Sequence, residues 1–141
     1  MPGPVDQRDV EDRKDVAVWT SEPLTDDLTV IGAITADLRV SSSAAEFDLV
    51  VKVCDVEPDG RSLNIVDGIQ RTTSTPGEPA QVQVRVGSTA MRFARGHRIR
   101  VDVASSAYPR FDLLPSSEQT LFLAGSSVTL PVIASGETEN A

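Results

Sequence analysis

Apolar and polar residues alternate with a period of two along most of the chain. The clearest run contains Phe47, Leu49, Val51 and Val53, each separated from the next by one residue. Because successive side chains of a strand point to opposite faces, this run predicts a strand with one buried face. Residues 57–60, Glu-Pro-Asp-Gly, follow it and have the composition of a tight turn. The two features together predict a β-hairpin.

The same alternation predicts strands along the rest of the chain. A short first strand is predicted around Val16 and Val18, and the other alternating apolar rows are Ile34, Ala36, Leu38 and Val40; Val82, Val84 and Val86; and Ile99, Val101 and Val103. Further strands are predicted at 63–66, 90–93, 119–124 and 127–133, which makes eight or nine in all. Gly32 predicts a bend or bulge, and Asp67-Gly68 predicts a turn.

Strands at this spacing, without a helical period or an internal repeat, predict an all-β fold with two antiparallel sheets packed as a sandwich. The pattern alone leaves a jelly roll and an immunoglobulin-like sandwich open. The 141 residues fit one domain. We expect a flexible lead-in at 1–14, the sandwich at 15–134 and a disordered tail at 135–141, since both ends are polar.

Charge and hydropathy exclude several classes of partner. The net charge of −8 argues against nucleic acid, because phosphate binding needs a basic surface. We expect no membrane partner, because no apolar run approaches the roughly 18 residues of a membrane span. The amino-terminal residues contain no apolar segment typical of a secretion signal, which predicts a cytoplasmic location.

One local stretch is basic. Between Glu78 and Asp102 the charged residues are all arginines, namely Arg85, Arg92, Arg95, Arg98 and Arg100. A solvated strand face paired with acidic neighbours is the favoured interpretation, because alternate residues of a strand point outward. An anion or partner site is the alternative.

The sequence does not supply the groups of a serine hydrolase. No Gly-x-Ser-x-Gly elbow occurs, and His97 is the only histidine. Arg95 and Arg98 flank it, and positive neighbours disfavour the imidazolium that forms in catalysis. We therefore expect a structural or turn histidine and an inactive chain. Cys54 is expected to be a small buried residue.

Residues 55–66 begin like a calcium-binding loop. Asp55, Glu57, Asp59 and Gly60 stand at the first, third, fifth and sixth places, but the twelfth place is Val66 instead of a bidentate glutamate. A hairpin turn accounts for the same residues. No metal or other cofactor is therefore expected.

Three segments resemble one known family. The phrases DVEPDGRS, DGIQR and GHRIRV…SSAYPRFD, with the flanking 13–43 and 127–133, resemble the carboxy-terminal domain of the cocaine esterase and X-Pro dipeptidyl-peptidase family of serine hydrolases. The resemblance implies a jelly roll of the galactose-binding-like type. It also implies a non-catalytic domain that packs against an α/β-hydrolase domain, in the same enzyme or in a separate chain. We expect this domain to stabilise the hydrolase domain and to help form a wall of its substrate pocket.

The partner contact is expected in the loop at 105–117, because a long loop with apolar residues usually serves a function. Relatives typically continue there with Arg-Asn-Pro-Asn-Thr-Gly, whereas this chain has Leu-Leu-Pro-Ser-Ser. The residues predicted to contact a ligand or partner are Tyr108, Arg110, Phe111, Asp112, Leu113, Leu114 and Trp19. Self-association into a homo-oligomer is possible through the same apolar residues. The alternative function is a free-standing carbohydrate- or small-ligand-binding module that uses Trp19 and Tyr108.

Overall fold

A computed structural model describes residues 16–108 and 119–133. The predicted lead-in and tail lie outside these residues. Every regular element in the described part is a β-strand, which confirms the all-β prediction. The strands are β1 (Val16–Thr20), β2 (Leu28–Ser42), β3 (Glu46–Val56), β4 (Ser62–Thr73), β5 (Ala80–Phe93), β6 (Arg98–Tyr108), β7 (Gln119–Thr129) and β8 (Val132–Ile133). The described part contains no helix that is long and apolar enough to cross a membrane.

The strands form two antiparallel sheets. The first sheet has the order β1-β6-β3-β4, and the second has the order β5-β2-β7, with the short β8 also paired to β2. The chain crosses from one sheet to the other at every connection except β3–β4 and β7–β8, a pattern of crossings that is typical of jelly rolls. The predicted two-sheet sandwich is therefore confirmed.

The core lies between the sheets and consists of the predicted apolar rows. Its buried members are Val30, Ile34, Ala36, Leu38 and Val40 of β2, Phe47, Leu49, Val51 and Val53 of β3, Val82, Val84, Val86 and Phe93 of β5, and Ile99, Val101 and Val103 of β6. Strand periodicity is local, and it correctly identified the inner face of each of these four strands.

The predicted hairpin joins β3 to β4. In its turn, the backbone N–H of Gly60 donates to the carbonyl of Glu57 at 2.8 Å, and the N–H of Glu57 donates to the carbonyl of Arg61 at 2.8 Å. The side chain of Asp59 accepts from the N–H of Arg61 at 2.9 Å. Asp59 therefore has the local hydrogen bond expected of an aspartate in a turn.

The predicted turn at Asp67-Gly68 is wrong. Strand β4 continues through both residues, and Gly68 is paired with Val51 of β3. A Cβ atom added at Gly68 would lie 2.3 Å from the carbonyl oxygen of Arg85 in β5. The glycine is needed because the backbone of β5 passes directly over it, so that the two sheets meet at β4 and β5.

Gly32 has a φ of 126°, which agrees with the local bend expected there, and β2 has a second irregularity further along. The register between β2 and β5 shifts between Ile34 and Thr35, where Gly87 is the residue of β5 opposite Ile34. Strand β5 continues past this bulge, so the segment 90–93 is the end of β5 and not a separate strand. A bulge lets one long strand bend without ending.

The last two predicted strands are divided differently from the prediction. Residues 119–124 and the first part of 127–133 form the single strand β7, and the short β8 follows Pro131. The register between β2 and β7 shifts between Asp37 and Arg39, opposite Gly125 and Ser126. The interruption of the apolar pattern between 124 and 127 therefore marks an irregularity inside β7 and not a loop between two strands.

Candidate functional site

Trp19 is an inward-facing side chain that remains exposed. It lies on β1, the edge strand of the first sheet, and is paired with Val101 of β6. Paired residues of adjacent strands point to the same face of a sheet, and Val101 belongs to the core. Trp19 and its neighbour Ala17 therefore project from the inner face, yet 54% of Trp19 is exposed.

The exposure of Trp19 follows from the open side of the sandwich. On one side, β4 and β5 pack closely at Gly68. On the other side, the edge strands are β1 of the four-stranded first sheet and β7 of the second sheet. Within the described residues, no strand pairs β1 with β7.

An apolar groove of about 430 Å³ lies between β1 and β7. Its size lies within the range of ligand pockets in proteins. The lining residues are Ala17, Val18 and Trp19 of β1, Leu38 of β2, Ile99, Val101 and Val103 of β6, and Leu121, Ser126, Ser127, Val128 and Leu130 of the β7 wall. None of these side chains is charged, so the groove suits an apolar surface.

The hydroxyl of Ser126 supports the β7 wall of this groove. Its Oγ donates to the carbonyl of Phe122 and accepts from the backbone N–H of Arg39 at 2.9 Å. The guanidinium carbon of Arg39 lies 6.0 Å from the centre of the Phe122 ring. Ser126 is thus engaged with the backbone of the bulge, which leaves the groove with a mainly apolar character.

The other predicted contact residues are farther along the chain. Tyr108 is the last residue of β6 and is paired with Glu46 of β3. Arg110, Phe111, Asp112, Leu113 and Leu114 lie outside the described residues. Trp19 is therefore the predicted contact whose side chain lies within the described part of the chain.

Nothing in the alternating pattern indicated that Val18 is exposed. Val18 is paired with Asp102 on the outer face of the first sheet and is 43% exposed. Since Trp19 projects from the opposite face, both faces of β1 present exposed apolar side chains. The signal in the sequence was the strand Val16–Thr20 itself, which contains no charged residue, proline or glycine.

His97 lies in the turn between β5 and β6. Its Nδ1 is 2.9 Å from Oδ1 of Asp55 at the end of β3, and the two side chains are 22% and 7% exposed. Its carbonyl accepts from the N–H of Leu24 at 2.8 Å, and its N–H donates to the carbonyl of Ala94. These contacts join three segments at one end of the sandwich, which is a structural role.

Two acidic residues of the calcium-loop pattern have other partners. Asp55 is hydrogen-bonded to His97, whereas Asp59 caps the hairpin turn. Within residues 16–108 and 119–133, no group of three or more His, Cys, Asp or Glu side chains could hold a metal ion. The hairpin interpretation explains the pattern.

Four of the five arginines of the basic stretch are divided between the two sheets, two on β5 and two on β6. Arg92 of β5 lies 3.7 Å from the carboxylate of Asp27. Arg100 lies on β6, in the other sheet, and donates from Nε to the hydroxyl of Thr20 at 2.9 Å. This arrangement agrees with outward-facing strand residues that have local partners.

This chain is similar in sequence to a known domain family and to a known enzyme. Residues 4–139 match the model of the X-Pro dipeptidyl-peptidase C-terminal non-catalytic domain. A cocaine esterase from Rhodococcus sp. is 42% identical over 78% of this chain, and the match covers 21% of that protein. The chain thus spans about a fifth of this relative.

Solved structures show the same fold. An α-amino acid ester hydrolase is 28% identical, with a TM-score of 0.79 over 91% of this chain and 27% of its own length. An aminopeptidase from a Thaumarchaeota archaeon is 26% identical, with a TM-score of 0.79 over 92% of this chain and 27% of its own length. The chain therefore belongs to the family of X-Pro dipeptidyl-peptidase C-terminal non-catalytic domains.

Proposed function

We propose that this chain stabilises the α/β-hydrolase domain of a serine hydrolase and helps to form a wall of its substrate pocket. The observation that carries the proposal is the open side of the sandwich, where Trp19 borders an apolar groove. The similarity to much longer hydrolases supports it, because the matched part is 21–27% of each. The catalytic serine, histidine and acid would belong to the partner.

Burial of the exposed half of Trp19 in such a contact would lower the free energy of the complex. A tryptophan buries up to about 250 Å², so covering the exposed half would remove roughly 100 Å² from water. At about 25 cal/mol per Å², this burial is worth about 2–3 kcal/mol. Exposed aromatic residues at the centre of a contact commonly dominate its binding energy. We therefore assign Trp19 as the central contact residue.

We assign the remaining predicted residues to the border of the same contact. The loop that joins β6 to β7 connects two strands that both line the groove. Tyr108, Arg110, Phe111, Asp112, Leu113 and Leu114 belong to this segment. Tyr108 lies seven residues along β6 from Val101, the partner of Trp19. This segment would therefore extend the contact beyond the Val103 end of the groove, with its charged members at the polar rim. The reaction supported in this way is acyl transfer from an ester, an amide or an X-Pro dipeptide.

Carbohydrate binding is the second candidate, since an exposed tryptophan next to a groove can stack on a sugar ring. A glycan array separates the two functions. Binding of a glycan that disappears in Trp19→Ala would favour the carbohydrate module. Under the proposed function, the array stays blank for the wild-type chain.

The hydrolase part of the Rhodococcus cocaine esterase, without its own carboxy-terminal domain, provides the test. We expect this chain, added in excess, to lengthen the half-life of esterase activity at elevated temperature. Trp19→Lys should abolish the effect, whereas Ile31→Lys should retain it, because Ile31 is an exposed apolar residue of β2 outside the groove. An unchanged half-life with the wild-type chain would refute the stabilising role.

A further inference from the structure

We propose that the outer face of the first sheet binds the same face of a second copy of this chain, so that the domain forms a two-fold symmetric dimer. The contact is centred on Ile69 of β4, which is 64% exposed. It lies on the opposite side of the first sheet from the groove next to Trp19. The dimer therefore adds a second contact to the proposed hydrolase contact and leaves the groove open.

An apolar row crosses the outer face of three strands of the first sheet. Ile69 is paired with Val50 of β3, and Val50 is paired with Ala104 of β6. Paired residues share a face of a sheet. Since the neighbouring Gly68 and Val51 face the other sheet, this row points outward. Ile69 is the most exposed large apolar residue of the described part, whereas Val50 and Ala104 are half-buried.

Charged residues of opposite sign flank this apolar row on each of two strands. On β4, Asp67 lies two residues before Ile69 and Arg71 lies two residues after it, and both are exposed. On β3, Lys52 is paired with Asp67, and Asp48 is paired with Arg71. One side of the row therefore carries Asp67 and Lys52, and the other side carries Arg71 and Asp48.

A two-fold axis along the apolar row makes this face complementary to itself. In a two-fold interface, the same patch of both copies must fit together. An axis along the row, perpendicular to the strands, places each residue opposite the residue from the other side of the row in the second copy. Asp67 of one copy then faces Arg71 of the other, and Lys52 faces Asp48. The strands of the two copies are aligned, which is a common packing of two sheets.

The ion pair within each copy is compatible with this dimer. Nε of Arg71 lies 3.3 Å from Oδ1 of Asp48, and their side chains are 58% and 8% exposed. A guanidinium group has five N–H donors, so Arg71 has donors for a carboxylate of the second copy as well. The net charge of −8 opposes association. Physiological salt screens charges that are more than about 8 Å apart, but it screens direct contacts much less.

The size of the face predicts a weak dimer. At about 4.8 Å per strand and about 3.4 Å per residue, the four strands of the first sheet cover roughly 600 Å². Each partner of a standard interface buries about 800 Å². We therefore expect a dissociation constant between about 10 µM and 1 mM, since smaller interfaces are usually transient.

Sedimentation equilibrium of the wild-type chain over this range of concentrations measures the dimer. We expect Ile69→Lys to raise the dissociation constant at least tenfold, because it places two ammonium groups next to each other at the axis. Ile31→Lys is the control, since Ile31 is an exposed apolar residue of β2 in the second sheet. It should change the dissociation constant less than threefold.

A charge swap tests the two-fold arrangement itself. Asp67→Lys and Arg71→Glu each place like charges opposite one another, so each variant alone should dimerise at least tenfold more weakly than the wild type. A mixture of the two variants should associate within threefold of the wild type, because opposite charges face each other again. Circular dichroism establishes that the variants fold. Ile69→Lys keeps both charged residues and decides the outcome if Arg71→Glu does not fold.

Four results would overturn the inference. The first is a wild-type chain that stays monomeric at 1 mM, and the second is a dimer that is unchanged by Ile69→Lys. The third is a mixture of folded charge variants that associates no better than either variant alone. The fourth is a monomeric chain in which Ile69→Lys abolishes the stabilisation of the hydrolase part, because this face would then belong to the hydrolase contact.

Discussion

At the scale of single residues, His97 connects the β5–β6 turn to the end of β3 through Asp55. We predict that His97→Ala destabilises the domain by about 1–3 kcal/mol, because it leaves a nearly buried carboxylate without this partner. Thermal unfolding followed by circular dichroism measures the effect. Arg95→Ala, an exposed side chain in the same turn, is the control and should change stability by less than about 0.5 kcal/mol.

An equal melting temperature for His97→Ala and Arg95→Ala would contradict the structural role of His97. The same pair of variants bears on catalysis. If the chain is non-catalytic, neither substitution has an activity to remove.

Gly68 tests the contact between the two sheets. We predict that Gly68→Ala costs about 3 kcal/mol, because the added Cβ would lie 2.3 Å from a backbone oxygen of β5. Gly77→Ala is the comparison, since Gly77 has open space around it but a φ of 81°. The strained φ alone costs about 1–2 kcal/mol. Urea denaturation should rank Gly68→Ala as the less stable variant, and the reverse order would contradict the close approach of β5.

At the scale of elements, β3 tests the prediction that alternate side chains of a strand face the core. Val51 is fully buried, whereas Val50 points to the outer face and is half-buried. We predict that Val51→Thr destabilises the domain by about 1–3 kcal/mol, because it buries a hydroxyl in the core. Val50→Thr should cost less than about 0.5 kcal/mol. Denaturation midpoints that fall equally for both would contradict the assigned faces.

The elements also show how far the sequence determines the structure. The inner rows of β2, β3, β5 and β6 were predictable, because alternation is written into each strand. Gly68 was interpreted as a turn, although its role depends on the backbone of a strand in the other sheet. Such contacts are not encoded near the glycine itself. The local apolar pattern therefore predicts which face of a strand is buried, but it does not predict why a glycine occurs within a strand.

The candidate site was predictable only in part, for a related reason. Trp19 was identified as a candidate contact because the aromatic content is only 4% and Phe47, Phe93 and Phe122 lie in or beside strand patterns. The groove next to it depends on β1 and β7 being the unjoined edges of two sheets. The order of strands in a sheet follows from long-range pairing, which alternation along one strand does not determine.

At the scale of the whole molecule, the domain is expected to contribute contacts and no chemistry. We predict that the purified chain hydrolyses p-nitrophenyl esters and X-Pro anilides no faster than its His97→Ala variant. Initial rates with both substrates provide the measurement. A wild-type rate that exceeds the variant by tenfold or more would mean that His97 acts as a base.

The stabilising role has a direct test in a chimera. This chain would replace the corresponding fifth of the Rhodococcus cocaine esterase, the part that it matches at 42% identity. Calorimetry then shows whether the two domains unfold together, because domains that share a large apolar contact unfold as one cooperative unit. We predict one transition, at a higher temperature than that of the hydrolase part alone, and two transitions for the chimera with Trp19→Lys. Two transitions in the unmodified chimera, at the temperatures of the separate parts, would contradict the account.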